Sequence, residues 1–366
     1  MSVDHPVGAH VAVRPAVDAD AEAWHAFLAA RPEGDPLQAW PWGEAARISG
    51  ERPERLIVRG VDGRVRGVAQ ALVRSAFAGG TVLYLPHGPV WEREAPDGGD
   101  VLDALLAGLR ALARRERGIV VLLEPRAALE GEAAGVDVGG ALAGRGLRRA
   151  RRPIQLVATR MVELLDGGDE LAATWTSDAR NLAGRSAREG VAVEIDRLGA
   201  SGAAREFHGL LEATGERAAF RPRPLAFLEG LAAGFATGAP SIGWYTAIAR
   251  LGGRAIAGMA VPRVGDRAFY LYGASLREPE LKHVNAAYGT MAALMRALAG
   301  DGVRWLDLWG VVDADDPTAD PSWQGYSLFK RKFGGRAVRH PGVFEMVVDR
   351  PRVLVRDLRD RLRGGP

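Results

Sequence analysis

Two stretches of the chain, lying about half its length apart, carry the same order of short apolar runs and glycine turns. The first runs through Leu56-Ile57-Val58, turns at Asp62-Gly63-Arg64, returns over Val68 to Val73 and continues as Thr81-Val82-Leu83-Tyr84-Leu85. The second runs from Tyr245 to Ala249, turns at Gly252-Gly253-Arg254, returns over Ile256 to Val261 and continues as Ala268-Phe269-Tyr270-Leu271-Tyr272. Glycine-bearing turns between β-rich runs predict antiparallel hairpins. Each meander precedes a helical pattern, Val101 to Arg114 or Ala286 to Leu298. One more apolar run follows, Ile119 to Leu123 or Trp305 to Trp309. The copies are offset by 190 positions at the turns and 185 at the last run. A solenoid repeats every ~20–50 residues, so a period this long predicts duplicated domains.

With 366 residues the chain has the length of two domains. The reading places domain 1 at residues 1–153 and domain 2 at 154–336. A terminal strand and helix, 337–366, is expected to return to domain 1, with Val338 to Val348 as the strand and the helix starting at Pro351. In that helix Leu354, Leu358 and Leu362 recur at i, i+4 and i+8. Two outcomes are open for this stripe: packing on domain 1, or contact with an anionic membrane. Helices, an antiparallel meander, a helix and a further strand is an order similar to that of the GNAT acyltransferases. The expected fold is therefore α/β (α+β) with two tandem GNAT-like domains.

Composition removes several classes of function. Zero cysteines exclude disulfides, thiolate metal ligands and a cysteine nucleophile. No apolar run approaches the ~18 residues of a spanning helix, and Met1 to Pro15 lacks an apolar signal core, so a cytoplasmic location is expected. The net charge is only +3 although the isoelectric point is 9.4. Arginine explains the difference, because guanidinium stays protonated. A nucleic-acid partner would therefore have to use local patches. Of 48 cations only Lys282, Lys330 and Lys332 are lysine. Where arginine serves as the general cation, a retained lysine points to a need for a compact ammonium. No Gly-x-Ser-x-Gly elbow, Walker loop or His-Glu-x-x-His pair occurs, so neither a serine triad nor a metal site is expected.

Six segments carry candidate chemistry. Gln38-Ala39-Trp40-Pro41-Trp42-Gly43-Glu44 opens a helix, either as a packed helix start or as the wall of a cleft for a planar group. Arg145, Arg148, Arg149, Arg151, Arg152 and Arg160, with Arg180, Arg185 and Arg188 beyond, form either a solvated face or a phosphate-contacting stripe. Arg221 and Arg223 alternate with Pro222 and Pro224 just before a helix, the makings of a pyrophosphate clamp or of a plain surface turn. In Trp305-Leu306-Asp307-Leu308-Trp309-Gly310, strand alternation puts Asp307 between two tryptophans, so a cationic partner or a raised pKa is expected. Asp313-Ala314-Asp315-Asp316-Pro317 with Asp320 lacks EF-hand spacing and reads as a solvated loop. The last segment, Phe329-Lys330-Arg331-Lys332-Phe333-Gly334-Gly335, holds two of the three lysines at a helix end.

Gln38 to Glu44, Tyr84-Leu85-Pro86-His87-Gly88-Pro89-Val90-Trp91, Arg180 to Val191, Tyr270-Leu271-Tyr272-Gly273-Ala274-Ser275, Leu306 to Gly310 and Phe329 to Gly335 together resemble the FemABX family of aminoacyl-tRNA-dependent peptidyltransferases, in its short form without a coiled-coil arm. The resemblance implies transfer of an amino acid from aminoacyl-tRNA to an amine on a peptidoglycan precursor's stem peptide, building an interpeptide bridge. It implies Lys330 as the catalytic lysine beside the transferred acyl group, Arg223 as the arginine that grips the precursor's phosphates and Tyr272 as a cleft tyrosine of the catalytic set. Beside them Asp307 is the candidate for orienting the amine or accepting its proton. Substrate contacts fall to Arg223, Arg221, Trp42, Gln38, Phe227 and Phe329, and tRNA contacts to Arg180, Arg185, Arg331 and Lys332. Phe227 stands where a tyrosine is common, and Ala46 or Arg47 where a lysine often occurs. No cofactor beyond aminoacyl-tRNA as co-substrate is implied. The implied partners are that tRNA and a UDP- or lipid-linked precursor, with peripheral contact at the inner membrane face and no DNA. Between meander and helix, neither copy has the Gln/Arg-x-x-Gly-x-Gly/Ala loop of coenzyme-A-using GNAT enzymes. Two rivals stay open: a tRNA- or coenzyme-A-dependent N-acyltransferase with a small-molecule or antibiotic-type acceptor, and a non-catalytic RNA binder.

Overall fold

The computed structural model describes residues 11–128, 135–150, 153–165, 168–312 and 321–362. Arg151, Arg152 and the acidic loop from Asp313 to Asp320 lie outside the described residues. Two compact units divide the chain. Unit 1 is Met1–Gln155 with His340–Pro366, and unit 2 is Leu156–Arg339.

In unit 1, β1 (Val11–Pro15) leads to α1 (Ala21–Ala30) and α2 (Trp40–Ile48). The meander is β2 (Arg52–Gly60), β3 (Val65–Ser75) and β4 (Thr81–His87), and the short β5 (Val90–Trp91) follows. Then come α3 (Gly98–Arg115), β6 (Gly118–Pro125), α4 (Val138–Ala143) and β7 (Arg148–Arg149). Gly63, at φ 76°, makes the β2–β3 turn in the left-handed region that favours glycine. The buried stripe of α3, including Val101, Leu105, Leu109 and Leu112, packs on Val58, Leu83 and Val121 of the sheet.

Unit 2 repeats the plan. β8 (Ala158–Glu163) is followed by α5 (Gly168–Ala173), α6 (Ser177–Arg188), β9 (Ala192–Asp196), α7 (Ser201–Ala218) and α8 (Leu225–Phe235). The meander is β10 (Ile242–Leu251), β11 (Arg254–Val264) and β12 (Arg267–Phe269), and β13 (Tyr272–Ser275) follows. After it come α9 (Ala286–Gly300), β14 (Trp305–Gly310), α10 (Pro321–Arg331) and β15 (Arg336–Arg339). The chain then returns to unit 1 as β16 (Phe344–Val347) and α11 (Arg350–Leu362).

The sheet orders are β1-β2-β3-β4-β6-β16-β7 and β15-β8-β14-β12-β11-β10-β9. Each sheet has one parallel pair, β4–β6 or β12–β14, and one strand off the path, β5 on β3 or β13 on β11. The matching orders are the structural form of the repeat.

Two elements differ from the sequence reading, and a third decides between outcomes it left open. Val338 to Val348 is not one strand: β15 pairs with β8 in unit 2, and β16 pairs with β6 and β7 in unit 1. Pro341, which has no N–H to donate, and Gly342, at φ 86°, interrupt it. The run through Tyr272 is broken after Phe269, where Tyr270 N–H turns to the Asp307 carbonyl. In α11 Leu354 and Leu358 are exposed and do not pack on unit 1, one of the two outcomes left open, and Val353 is the residue that enters the core.

Candidate active site

In unit 2 the sheet opens, because β12 follows β14 through Phe269 and Asp307 while β13 pairs with β11. A cavity of about 470 Å³ lies at this opening. Tyr270, Tyr288, Tyr326 and Phe329 supply aromatic walls, and Thr214 and Arg217 of α7 add polar groups. A second cavity, about 620 Å³, reaches the start of α9 and Lys282, sharing Ser275, Arg277, Ala287 and Tyr288 with the first. The Thr214 hydroxyl is buried and has no hydrogen-bond partner among the described residues. Glycine at 273 is a steric demand: a Cβ there would lie 1.8 Å from the Tyr270 hydroxyl.

Beside the opening, Lys330 of α10 is 5% exposed. Its Nζ donates to the Gly310 carbonyl at 2.7 Å and lies 5.7 Å from the centre of the Tyr270 ring. Burial pushes the ammonium down to about 8, against an upward pull from the Asp307 carboxylate. Burial also raises the Tyr270 phenol, keeping it neutral.

The Gly310 carbonyl is presented by a bulge in β14. Register with β8 slips between Asp307 and Gly310, and Trp309 adopts φ 62°, a conformation uncommon for a residue with a side chain. Asp307, fully buried, accepts the Trp309 N–H at 2.7 Å and the Thr159 hydroxyl. The simple alternation expected for Trp305, Asp307 and Trp309 therefore fails at the bulge. Asp307 is turned inward, which suits it to hold the backbone and field around Lys330 and not to take a proton from an incoming amine.

The other sequence candidates fall in several places. Arg223 and Phe227 meet, the guanidinium lying 5.0 Å from the ring centre, and Phe227 itself is buried in unit 2. Tyr272 belongs with them: burial raises its phenol to about 12, and the Arg223 charge works against that rise. Arg221 is exposed on the same proline-stiffened loop. Phe329 stacks edge-on with Tyr288 and Phe333, at 5.0 and 5.3 Å between ring centres, and lines the cavity. Lys332 pairs with Asp178 at 2.5 Å and donates to the Tyr288 hydroxyl, whereas Arg331 reaches the Ser327 carbonyl. Arg180 folds back onto the carbonyls of Ala172, Ala173 and Trp175. Arg185 is exposed and lies 4.0 Å from Glu189.

Gln38 and Trp42 lie in unit 1, and the structure gives them packing tasks. Beyond Tyr84 the strands β3 and β4 part, and the buried Gln38 amide fills the gap. Its Nε2 donates to the Gln70 and Pro86 carbonyls at 3.1 and 2.7 Å, and its Oε1 accepts the Gln70 N–H at 2.9 Å. With these bonds made, Gln38 is a bridge between strands, not a substrate contact. Trp42 is buried at the start of α2, beside Trp40, whose ring meets Trp24 edge-on. Among the described residues no group of three or more His, Asp or Glu could hold a metal ion. Thr159, Tyr288 and Thr214 escaped the sequence reading. Tyr288 alone had a signal, being an aromatic in the first turn of a helix that follows the meander.

Comparison with known proteins agrees with this architecture. The model of the acetyltransferase (GNAT) domain matches residues 172–331. A lipid II:glycine glycyltransferase of Staphylococcus aureus is 27% identical over 215 residues, covering 56% of this chain and 48% of that protein. The match thus spans about half the length of the curated relative. The crystal structure of FemX aligns with a TM-score of 0.80 and 18% identity over 94% of this chain and 99% of its own. A tandem GNAT protein from the clavulanic acid biosynthesis pathway aligns at 0.54 and 13% identity, over 92% and 98%. The duplicated sheet, the GNAT-domain match and the FemX-like fold lead to one conclusion: the chain folds as two tandem GNAT-like domains, similar to FemX.

Proposed function

We propose that the chain is an aminoacyltransferase that moves an amino acid from aminoacyl-tRNA to an amine of a peptidoglycan precursor's stem peptide, forming an interpeptide bridge. The observation that carries this reading is Lys330, a buried ammonium on a backbone carbonyl beside an aromatic cavity. The ester of a charged tRNA is already activated, so transfer needs positioning and charge stabilisation more than a strong base. The acceptor nitrogen attacks the ester carbon, and Lys330 stabilises the oxyanion that forms. As the intermediate collapses the C–N bond is kept, the C–O bond to the tRNA ribose breaks, and the ribose oxygen takes the proton lost by the amine. The aromatic walls suit the donor's terminal nucleoside, and the unpartnered Thr214 hydroxyl suits one of its polar groups. Arg221, Arg223 and Tyr272 are the groups for the acceptor's phosphates, and the exposed Arg185 lies on a helix suited to the tRNA backbone. A lipid-linked acceptor would bring the enzyme to the inner membrane face as a peripheral protein; no helix among the described residues is long and apolar enough to cross a membrane.

The test is a donor-and-acceptor screen read by mass spectrometry. Charged tRNA or acyl-coenzyme A is offered with UDP-linked precursor, lipid-linked precursor or small amines. The expected result is consumption of charged tRNA and a precursor heavier by one aminoacyl residue. Consumption of acyl-coenzyme A alone would replace this reading with that of an ordinary N-acyltransferase. Binding of tRNA without regard to its charge, and without turnover, would leave an RNA-binding protein.

A further inference from the structure

Among the described residues, the terminal helix α11 is fastened to unit 1 through Val353 and a net of charges. Val353 packs with Ile119 and Val120. Arg148 and Arg356 both bind Glu345 and Asp357, at 2.6 to 3.0 Å. That net turns Asp357 inward. The outward face is left with Leu354, Val355 and Leu358, which are 69%, 48% and 57% exposed. Arginines stand beside these apolar side chains along the helix. Arg350 and Arg359 are exposed on the helix itself, and Arg359 lies over the ring of Phe77. At the start of the helix Arg350 and Arg352 border a shallow depression with Arg114 and Arg117. Asp349 lies there too, 3.5 Å from Arg352.

We propose that this face of α11 docks unit 1 on an anionic lipid surface. Leucines at i and i+4 enter the boundary of the acyl chains, while guanidinium groups beside them meet lipid phosphates. A second copy of the chain would bring arginines against arginines, and an RNA would leave Leu354 and Leu358 in water. An anionic bilayer satisfies both halves of the surface. The inference stands apart from the transferase reading, although a lipid-linked acceptor would lie on such a surface.

Vesicle flotation of the full chain tests it, using phosphatidylcholine alone and phosphatidylcholine mixed with phosphatidylglycerol. Neither vesicle contains a precursor, so the outcome is independent of catalysis. Wild type should float with the mixed vesicles only, and less so as salt rises. L354E/L358E and R114Q/R117Q should each bind at least about tenfold more weakly, with unchanged melting curves and unchanged mass by light scattering. L354S/L358S supplies a gentler pair should the glutamates disturb folding. The proposal is overturned if wild type stays with the soluble fraction, or if the leucine variants bind as wild type does. It is equally overturned if the leucine variants change the oligomeric mass, or if the arginines bind tRNA and the leucines are irrelevant.

Discussion

Replacing Lys330 by methionine separates the cost of the buried ammonium from its use. In the folded chain the group titrates near 8 instead of the usual 10.5, because burial disfavours its charge. A base with a depressed folded pKa binds fewer protons folded than unfolded between these values, so stability rises with pH across that window. Below it the folded state carries the full cost, about 3 kcal/mol at pH 7, falling to about 1 kcal/mol at pH 10. Methionine fills similar space without charge but leaves the Gly310 carbonyl without its donor, a loss of about 1–3 kcal/mol. Lys330→Met should therefore be at least as stable as wild type at pH 7. Relative to wild type it should lose about 2 kcal/mol by pH 10. Its turnover should fall about 10²–10³-fold, the usual cost of a missing oxyanion donor. Urea denaturation of both proteins from pH 7 to 10 cancels every other titrating group in the difference. A difference that stays flat with pH would refute the buried charge, and near-normal turnover would remove Lys330 from the chemistry.

Asp307→Asn keeps acceptors for Trp309 and Thr159 but removes the negative charge that holds the Lys330 pKa up. The alkaline limb of the pH–rate profile, set by loss of the ammonium near 8, should move to lower pH; an unmoved limb would sever the two residues. Gln38→Leu leaves the Gln70 and Pro86 backbone groups without partners in a buried gap, and should cost about 2–4 kcal/mol in denaturant unfolding. Loss of activity with unchanged stability would show that Gln38 serves substrate after all.

The parts of the fold that could be read in advance are those governed by neighbouring residues. The β2–β3 and β10–β11 hairpins were legible because Gly63, Gly252 and Gly253 supply the positive φ that tight turns need. Lys330 stood out because lysine is rare here, and the structure buries it beside the cavity. Contacts between distant segments were not. Thr159 and Asp307 are 148 positions apart, and nothing near either announces the other. The bulge at Trp309 was hidden because a tryptophan in the left-handed region has no local signature. Gln38 looked like part of a binding motif because sequence cannot show that two strands separate beside it. In α11 the leucines have helical spacing, which marks one face but not its partner. The charges of Glu345 and Arg148, distant in sequence, turn the other face inward.

The place of β16 has a consequence for how the protein is made. This strand lies between β6 and β7, inside the first sheet, although all of unit 2, Leu156–Arg339, separates it from them in sequence. During synthesis unit 2 leaves the ribosome as an uninterrupted segment and has all of its strands first. Unit 1 must wait, with the edge of β6 uncovered, until residues 344–347 emerge. The usual order, in which the N-terminal domain matures first, is thereby reversed, and a nascent chain halted after unit 2 would offer that edge to chaperones or to neighbouring chains.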